Sequence, residues 1–188
     1  MELDARVAAL LSTGDAATAA TEVLRALGPG VRRYLASVLR DDDDAADAYA
    51  RFEESLWRAL PAFRGEAALR TWALRIAWSA ARHVRAEAWH RHRTRLRTHD
   101  ASVLQQTQGA SAARHEDRRR KLELLRRALS DEEQSMLALR VDQELPWPEI
   151  ARVLSPDGRP LDVAVLQKRF ERLRARLARL ARREGLLD

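Results

Sequence analysis

The side chains whose types and spacing most clearly suit ligand binding lie in residues 63–85, FRGEAALRTWALRIAWSAARHVR. Arg75, Trp78, Arg82 and Arg85 recur there at helical spacing, opposite a face of apolar residues. Arginine binds phosphate, and an aromatic ring can stack on an unpaired base. The pattern predicts a surface for single-stranded nucleic acid, with one alternative: Trp78 turns into the core and the arginines act alone.

The charges are segregated along the chain. Its 188 residues hold 34 Lys and Arg against 28 Asp and Glu, a formal net charge of +6. Residues 41–54 hold seven acids and one base, 82–99 hold six arginines, four histidines and one acid, and 164–183 hold eight Lys or Arg and one acid. This segregation predicts two kinds of partner: a polyanion for the basic segments and a cationic surface for the acidic one.

Several classes of function lack the residues they need. The chain has no cysteine, so neither a disulfide framework nor a thiolate zinc site can form. On a helix His90 and His92 would point about 200° apart and could not chelate a metal from one face. Because no phosphate-binding glycine loop or nucleophile motif is present, we expect no enzyme, no metal and no cofactor. No apolar run approaches roughly 18 residues, so we expect a cytoplasmic protein without a membrane segment.

Helical periodicity and the absence of period-two alternation predict an all-α fold. A helix stop is expected at GPG, residues 28–30. The aspartates at 41–44 are expected to cap the helix that follows them, because carboxylates accept the free N–H groups of a helix N-terminus. The predicted helices of this first block cover 1–27 in one or two pieces, 31–40 and 44–60, and after a short connection at 61–66 a further helix continues to about 95.

The helical pattern fails over about 99–113, which predicts a flexible linker. Beyond it, Ser130 and Glu133 have the spacing of a capping box, and helices are predicted over 145–154 and about 161–183. Two helices joined by a turn, the second one strongly basic, are typical of a helix-turn-helix. The predicted architecture is two small helical domains joined by a flexible linker, the C-terminal one a helix-turn-helix. Its parts are an N-terminal helical extension at 1–27, a first domain at 28–97, the linker at 98–116 and a second domain at 117–188.

Two blocks of the chain resemble one protein family. Residues 30–95, with DDDDAADAYARFEESLWRALPAFRGEAALRTWALRIAWSAARHVR, resemble the promoter-melting domain of extracytoplasmic-function (ECF) sigma factors of bacterial RNA polymerase. Residues 118–183, with LSDEEQSMLALRVDQELPWPEIARVL and VLQKRFERLRARL, are similar to the C-terminal helix-turn-helix of that family. The resemblance implies a specificity subunit that docks on core RNA polymerase, directs it to promoter DNA and helps to open the duplex. Family members are often held by an anti-sigma factor, which is a further candidate partner here.

The resemblance also implies site residues. On the acidic helix, those facing the polymerase would be Asp44, Asp47, Glu54 and Trp57. On the helix of the 63–85 segment, those facing the melted strand would be Arg70, Arg75, Trp78, Arg82 and Arg85. On the last helix, those facing duplex DNA at the upstream promoter element would be Gln167, Lys168, Arg169, Arg172, Arg174 and Arg176. Residues early in that helix are expected to reach base edges, and later arginines to hold phosphates.

Three features depart from the family pattern. The turn over 154–161 is several residues longer than usual, Ala50 and Arg51 replace a frequent Gln-Glu pair, and Trp78 and Ser79 stand where Arg-Asn is common. The competing function is a helix-turn-helix regulator that binds duplex DNA without polymerase. Binding to core polymerase in the absence of DNA would separate the two functions.

Overall fold

A computed structural model describes residues 2–95, 120–155 and 159–187 of the chain. Every regular element in these ranges is helical, which confirms the all-α prediction. The elements are α1 (Glu2–Ser12), α2 (Ala16–Leu39), α3 (Asp42–Ala59), a 3₁₀ turn (Leu60–Ala62), α4 (Leu69–Arg95), α5 (120–127), α6 (Asp131–Leu137), a π-helical turn (Ala138–Asp142), α7 (Trp147–Val153) and α8 (Val163–Arg183). The predicted linker at 98–116 lies outside the described residues. None of the helices in the described ranges is both long and apolar enough to cross a membrane.

Helices α1–α4 form the N-terminal half, in which α2, α3 and α4 share a core and α1 packs along α2. The helix starts follow the expected chemistry. The Asp15 carboxylate accepts the Thr18 N–H at 3.0 Å and caps α2, while Asp41 accepts the Asp44 N–H at 2.9 Å and caps α3. Acids at these two positions thus start both helices.

The predicted helix stop at GPG is wrong, because α2 runs unbroken through Gly28 and Pro29 to Leu39. Pro29 forfeits one backbone hydrogen bond, and a glycine in a helix costs about 1 kcal/mol relative to alanine. Gly28 is buried where α3 crosses α2, and a Cβ on it would lie 2.7 Å from the Tyr49 hydroxyl oxygen. The packing of α2 on α3 therefore overrides the local preference, and Gly28 serves close helix approach instead of a turn.

Replacing Gly28 with alanine is expected to destabilise the fold by about 1–2 kcal/mol, although alanine favours helix. The new methyl group must displace Tyr49, whose ring is held by Phe52 at 5.7 Å and by the Arg32 guanidinium at 4.0 Å. In a Tyr49→Phe background the obstructing oxygen is gone, and Gly28→Ala should then stabilise by up to about 1 kcal/mol. Urea denaturation followed by circular dichroism measures both values. The same sign in the two backgrounds would contradict this packing role.

Helices α5–α8 form the C-terminal half, and its helix starts match the predictions. The Glu133 N–H donates to the Ser130 hydroxyl at 3.2 Å and the Ser130 N–H donates to the Glu133 carboxylate at 2.8 Å, which is the predicted capping box. Asp162 caps α8 through two backbone N–H groups. Trp147 of α7 packs edge-on against Phe170 of α8, with ring centroids 5.2 Å apart. This contact joins the two helices of the helix-turn-helix.

The two halves pack against each other along a junction formed by α2 and α4 on one side and by α6, the π-helical turn and α7 on the other. The hydroxyl groups of Tyr34 and Ser135 lie 2.5 Å apart across it, both fully buried. The Gln134 side chain donates to the Ser37 carbonyl and accepts from Arg40 Nε at 2.9 Å. Five polar side chains are buried in the described part of the chain, and all of them line this junction: Thr71, Gln134, Ser135, Gln143 and Ser155.

Candidate nucleic-acid and polymerase interfaces

Arg75, Ser79 and Arg82 form the open part of the basic face of α4. All three are exposed, and neither arginine has an ion-pair or hydrogen-bond partner among the described residues. They line a cleft of about 450 Å³ between α3 and α4, together with Arg58 and His83. Guanidinium groups without internal partners on an open cleft can bind phosphate oxygens.

Trp78 turns toward the junction, not toward solvent. Its side chain is 6% exposed and lines one cleft with Ser155 and a second with Leu154 and Leu161. The indole N–H is buried without a hydrogen-bond partner among the described residues, an arrangement that costs about 1–3 kcal/mol. Of the two orientations that the sequence left open, the structure has the inward one.

Arg70 and Arg85, the ends of the predicted strand-binding set, are held by the C-terminal half. Arg70 donates to the Gln143 backbone oxygen at 2.8 Å and to the Gln143 side-chain oxygen at 3.0 Å. Arg85 forms an ion pair with Asp131. The structure therefore brings Arg75 and Arg82 together on an open surface. Arg70 and Arg85 are bonded to the C-terminal half, and Trp78 is buried.

The loop between α3 and α4 forms a second cavity that residue types alone did not locate. The rings of Phe63 and Trp72 pack with centroids 5.0 Å apart and wall a space of about 350 Å³. Arg64 and Arg75 contribute guanidinium groups, and the C-terminal half contributes Arg152. An aromatic wall beside cations is suited to an unpaired base and its phosphates. The loop sequence FRGE, which follows the 3₁₀ turn, is the signal that could have indicated it.

The acidic helix α3 presents three of its four predicted polymerase-facing residues to solvent. Asp47 and Glu54 lie two turns apart on one exposed side, and Trp57 is 45% exposed at the end of the same side. Glu54 pairs with Arg58 one turn away, at 2.5 Å. Asp44, the fourth predicted residue, is half-buried in the first turn. The exposed group thus combines two carboxylates with a large aromatic ring.

Helix α8 divides the six predicted duplex-facing residues into two groups. Arg169 pairs with Glu132 at 3.0 Å, and Arg176 pairs with Glu133 at 2.6 Å. Burial works against ionisation of Glu133, but hydrogen bonds from Arg176 and from the Ser130 N–H leave the pKa of this carboxyl below its usual value. The exposed residues without a partner in the described part of the chain are Gln167, Lys168, Arg172 and Arg174.

Comparison with known proteins finds a match for the segment of the chain that carries the α3 and α4 surfaces. The family model described as sigma-70 region 2 matches residues 23–91, which run from α2 into α4 and include all of α3. Residues 23–91 are thus similar to sigma-70 region 2. This region 2 segment contains the acidic side of α3, the loop cavity and the basic face of α4.

The fold of the chain is also similar to a solved structure. The sigma factor RpoE of Bartonella quintana, crystallised with the anti-sigma factor NepR, matches with a TM-score of 0.56 and 18% sequence identity, covering 86% of this chain and 96% of that chain. No curated protein sequence matches the chain. The match extends over both halves of the chain and shows that the two proteins share a fold.

Within region 2 one departure from the family pattern has a structural role. Arg51, which stands where a Gln-Glu pair is frequent, reaches from α3 to Glu87 of α4 and forms an ion pair of 2.6 Å. Both side chains are about half exposed, so the pair contributes at most about 1 kcal/mol. Arg51 thus ties α3 to α4 and does not extend the acidic side of α3.

Proposed function

We propose that the protein is a sigma factor of the ECF type, which binds core RNA polymerase, recognises promoter DNA and helps to open it. The observation that carries the proposal is a sigma-70 region 2 in which an exposed acidic aromatic side of α3 adjoins the basic cleft of α4. The protein supplies binding and positioning and no catalytic chemistry of its own. It acts in the cytoplasm, where core polymerase and the chromosome are found.

The polymerase contact is assigned to Asp47, Glu54 and Trp57, with Asp44 at its edge. Two exposed carboxylates favour a basic partner surface, and complementary charges steer association and set orientation. Trp57 supplies apolar area to such a contact, and tryptophan is among the residues that most often dominate binding energy at interfaces.

The DNA contacts are assigned to two surfaces. Arg75 and Arg82 hold phosphates of the separated strand, while the cavity walled by Phe63 and Trp72 takes an unpaired base. On α8, Gln167 and Lys168 lie early enough to reach base edges in the major groove. Later residues of α8 hold phosphates.

An anti-sigma factor is a further proposed partner. The solved RpoE is bound to one, and the present chain shares the fold of that sigma factor. The exposed sides of α3 and α8 are the surfaces that such a partner would have to cover in order to block polymerase and duplex DNA.

Two measurements with the purified chain test the proposed function. We expect it to co-elute with core RNA polymerase in size-exclusion chromatography without DNA, and to direct specific transcripts from a pool of genomic fragments. A regulator that acts without polymerase would bind fragments but would not co-elute. Failure to co-elute or to yield transcripts would overturn the proposal.

Arg172→Ala is expected to weaken duplex binding by roughly tenfold without changing sequence preference. Loss of one phosphate contact should also reduce the slope of log K against log salt by about 0.9. Fluorescence anisotropy on a duplex over a salt series gives both numbers. Arg25→Ala removes the same charge from an exposed site on α2 and should change neither. An unchanged salt slope for Arg172→Ala would place this arginine away from phosphate.

A further inference from the structure

Helix α1 packs on the N-terminal half although it lies outside residues 23–91, the segment that matches the region 2 model. The side chain of Val7 is fully buried in the core between α1 and its neighbours. Arg6, the preceding residue, forms an ion pair with Glu22 of α2 at 3.0 Å. These contacts fix α1 along α2, so the side chains near Val7 have defined places in the fold.

Asp4, one turn before Val7, bonds to the start of α4, 65 positions later in the chain. Its carboxylate accepts the N–H of Leu69, the first residue of α4, at 3.4 Å. The first N–H groups of an α-helix have no partner within the helix, and an acid beside them also interacts favourably with the helix dipole. Asp4 is therefore a cap of α4 that another helix supplies.

The start of α4 has no capping side chain of its own. Ser, Thr, Asp and Asn are preferred immediately before a helix because their side-chain oxygen accepts a free N–H group. Ala68 occupies this position in α4: its carbonyl accepts the Trp72 N–H at 3.0 Å, but its methyl side chain accepts nothing. Four other helices begin with a capping side chain from their own sequence, namely Asp15, Asp41, Ser130 and Asp162. Asp4 thus supplies what the local sequence of α4 lacks.

The first turn of α4 carries one wall of the loop cavity that the proposed function assigns to an unpaired base. Trp72 is the fourth residue of the helix, and its ring packs against that of Phe63 with centroids 5.0 Å apart. Phe63 is placed from the other end of the loop, where its N–H donates to the Leu60 carbonyl at 3.0 Å. Fraying of the first turn of α4 would therefore move Trp72 relative to Phe63 and change the shape of the cavity.

We propose that Asp4 is a positioning residue for base recognition: its bond to the Leu69 N–H holds the first turn of α4, and with it Trp72, in the arrangement that admits an unpaired base. The inference rests on the proposed function, because it takes the cavity walled by Phe63 and Trp72 as the base site. Asp4 is not one of the described residues that line this cavity, so it acts through α4 and not by contact with DNA. Helix α1 thereby takes part in strand recognition.

The first test measures how much the bases contribute when the full chain binds a single strand. The two probes are a short fluorescein-labelled single strand of mixed sequence and the same sugar–phosphate backbone without bases. Asp4→Ala should lower the affinity for the base-containing strand roughly fivefold, because a fraction of the molecules loses the turn that carries Trp72. The affinity for the abasic strand should not change, since Arg75 and Arg82 stay on their open cleft. Equal losses for the two probes, or no loss for either, would overturn the proposal.

Three further variants separate capping from net charge. Glu2→Ala removes the same charge from an exposed position on α1 and should leave both affinities unchanged. Asp4→Asn keeps an oxygen acceptor and should stay within about twofold of the parent chain, because Asn and Asp are comparable caps. Ala68→Ser, added to Asp4→Ala, gives α4 a neutral cap at an exposed position and should restore most of the loss. A serine that restores nothing would contradict the capping role.

Hydrogen exchange keeps this inference separable from the proposed function. The amides of Leu69 and Trp72 are both bonded in the parent chain, and without DNA they should exchange roughly fivefold faster in Asp4→Ala. Nuclear magnetic resonance measures these rates, with the amides of α8 as the internal reference. Unchanged exchange would overturn the positioning role even if the chain transcribes with core polymerase. If exchange rises as expected but the parent chain binds both probes equally, the base site of the proposed function is wrong instead.

Discussion

Truncating Trp78 to alanine is expected to lower the free energy of unfolding by about 3–5 kcal/mol, a large share of the stability of a domain of this size. The ring is 6% exposed and bridges α4 to the turn after α7, so its removal leaves a cavity between the halves. Part of this cost is offset because the buried indole N–H has no partner in the described residues. Urea denaturation followed by near- and far-ultraviolet circular dichroism measures the loss.

Trp57→Ala is the matched control, since it removes the same side chain from an exposed position on α3. With 45% of its surface in solvent, Trp57 should contribute less than about 1.5 kcal/mol to folding. Comparable losses for the two variants would contradict the inward placement of Trp78. A transcription assay separates the two possible roles of Trp78. If the ring stacks on a base after opening, Trp78→Ala should be impaired more on duplex templates than on pre-melted ones. If the ring serves only as core, the variant should be impaired equally on both.

Asp47→Arg is expected to weaken binding to core RNA polymerase by about a hundredfold or more. The substitution replaces an exposed carboxylate at the centre of the acidic side of α3 with a cation, so that an attraction toward a basic partner becomes a repulsion. Asp47 is exposed and has no hydrogen bond or ion pair across the junction within residues 2–95, 120–155 and 159–187. The fold should therefore be unaffected, because an exposed helical residue tolerates substitution to within about 0.5 kcal/mol. Size-exclusion chromatography or anisotropy with labelled protein measures the affinity.

The control for Asp47→Arg is Glu2→Arg, which makes the same charge reversal on α1. Glu2 is exposed and pairs only with Arg6 in the described structure. This variant should bind polymerase to within about threefold of the parent chain. If both reversals weaken binding alike, net charge and not the α3 surface decides the affinity, and the assignment of the polymerase contact to α3 fails.

Most of the fold could be predicted from local sequence patterns. The aspartates before α3, the capping box at Ser130 and the apolar repeat of α8 act over a few residues, so their consequences could be inferred from spacing. The helix stop predicted at GPG was wrong because the role of Gly28 depends on a residue distant in sequence. Gly28 allows close packing of α3 because Tyr49, 21 positions later, lies against it, and nothing in the local sequence reveals that contact.

The candidate sites divide in the same way. Exposure of Asp47, Arg75 and Arg172 follows from helical periodicity, and the structure places these three on open surfaces. The orientation of Trp78 could not be inferred, because the cleft that it faces is also lined by Leu154 and Leu161 of the other half. Trp78 lies on the face of α4 that is exposed within its own half, and it becomes buried only when the second half packs on that face. The periodicity of one helix does not reveal contacts with another part of the chain.

The long separation of the junction contacts also has a consequence for biosynthesis. Tyr34 and Ser135 are 101 positions apart, and Thr71 and Glu149 are 78 apart, whereas α3 and α4 adjoin in sequence. Domains generally fold in order of emergence, at about 5–20 residues per second. Region 2 therefore emerges from the ribosome, and can fold, about 3–11 s before Glu149 emerges. For that interval the nascent chain presents an uncovered basic face to any polyanion near the ribosome, and the last step of its maturation is to cover it.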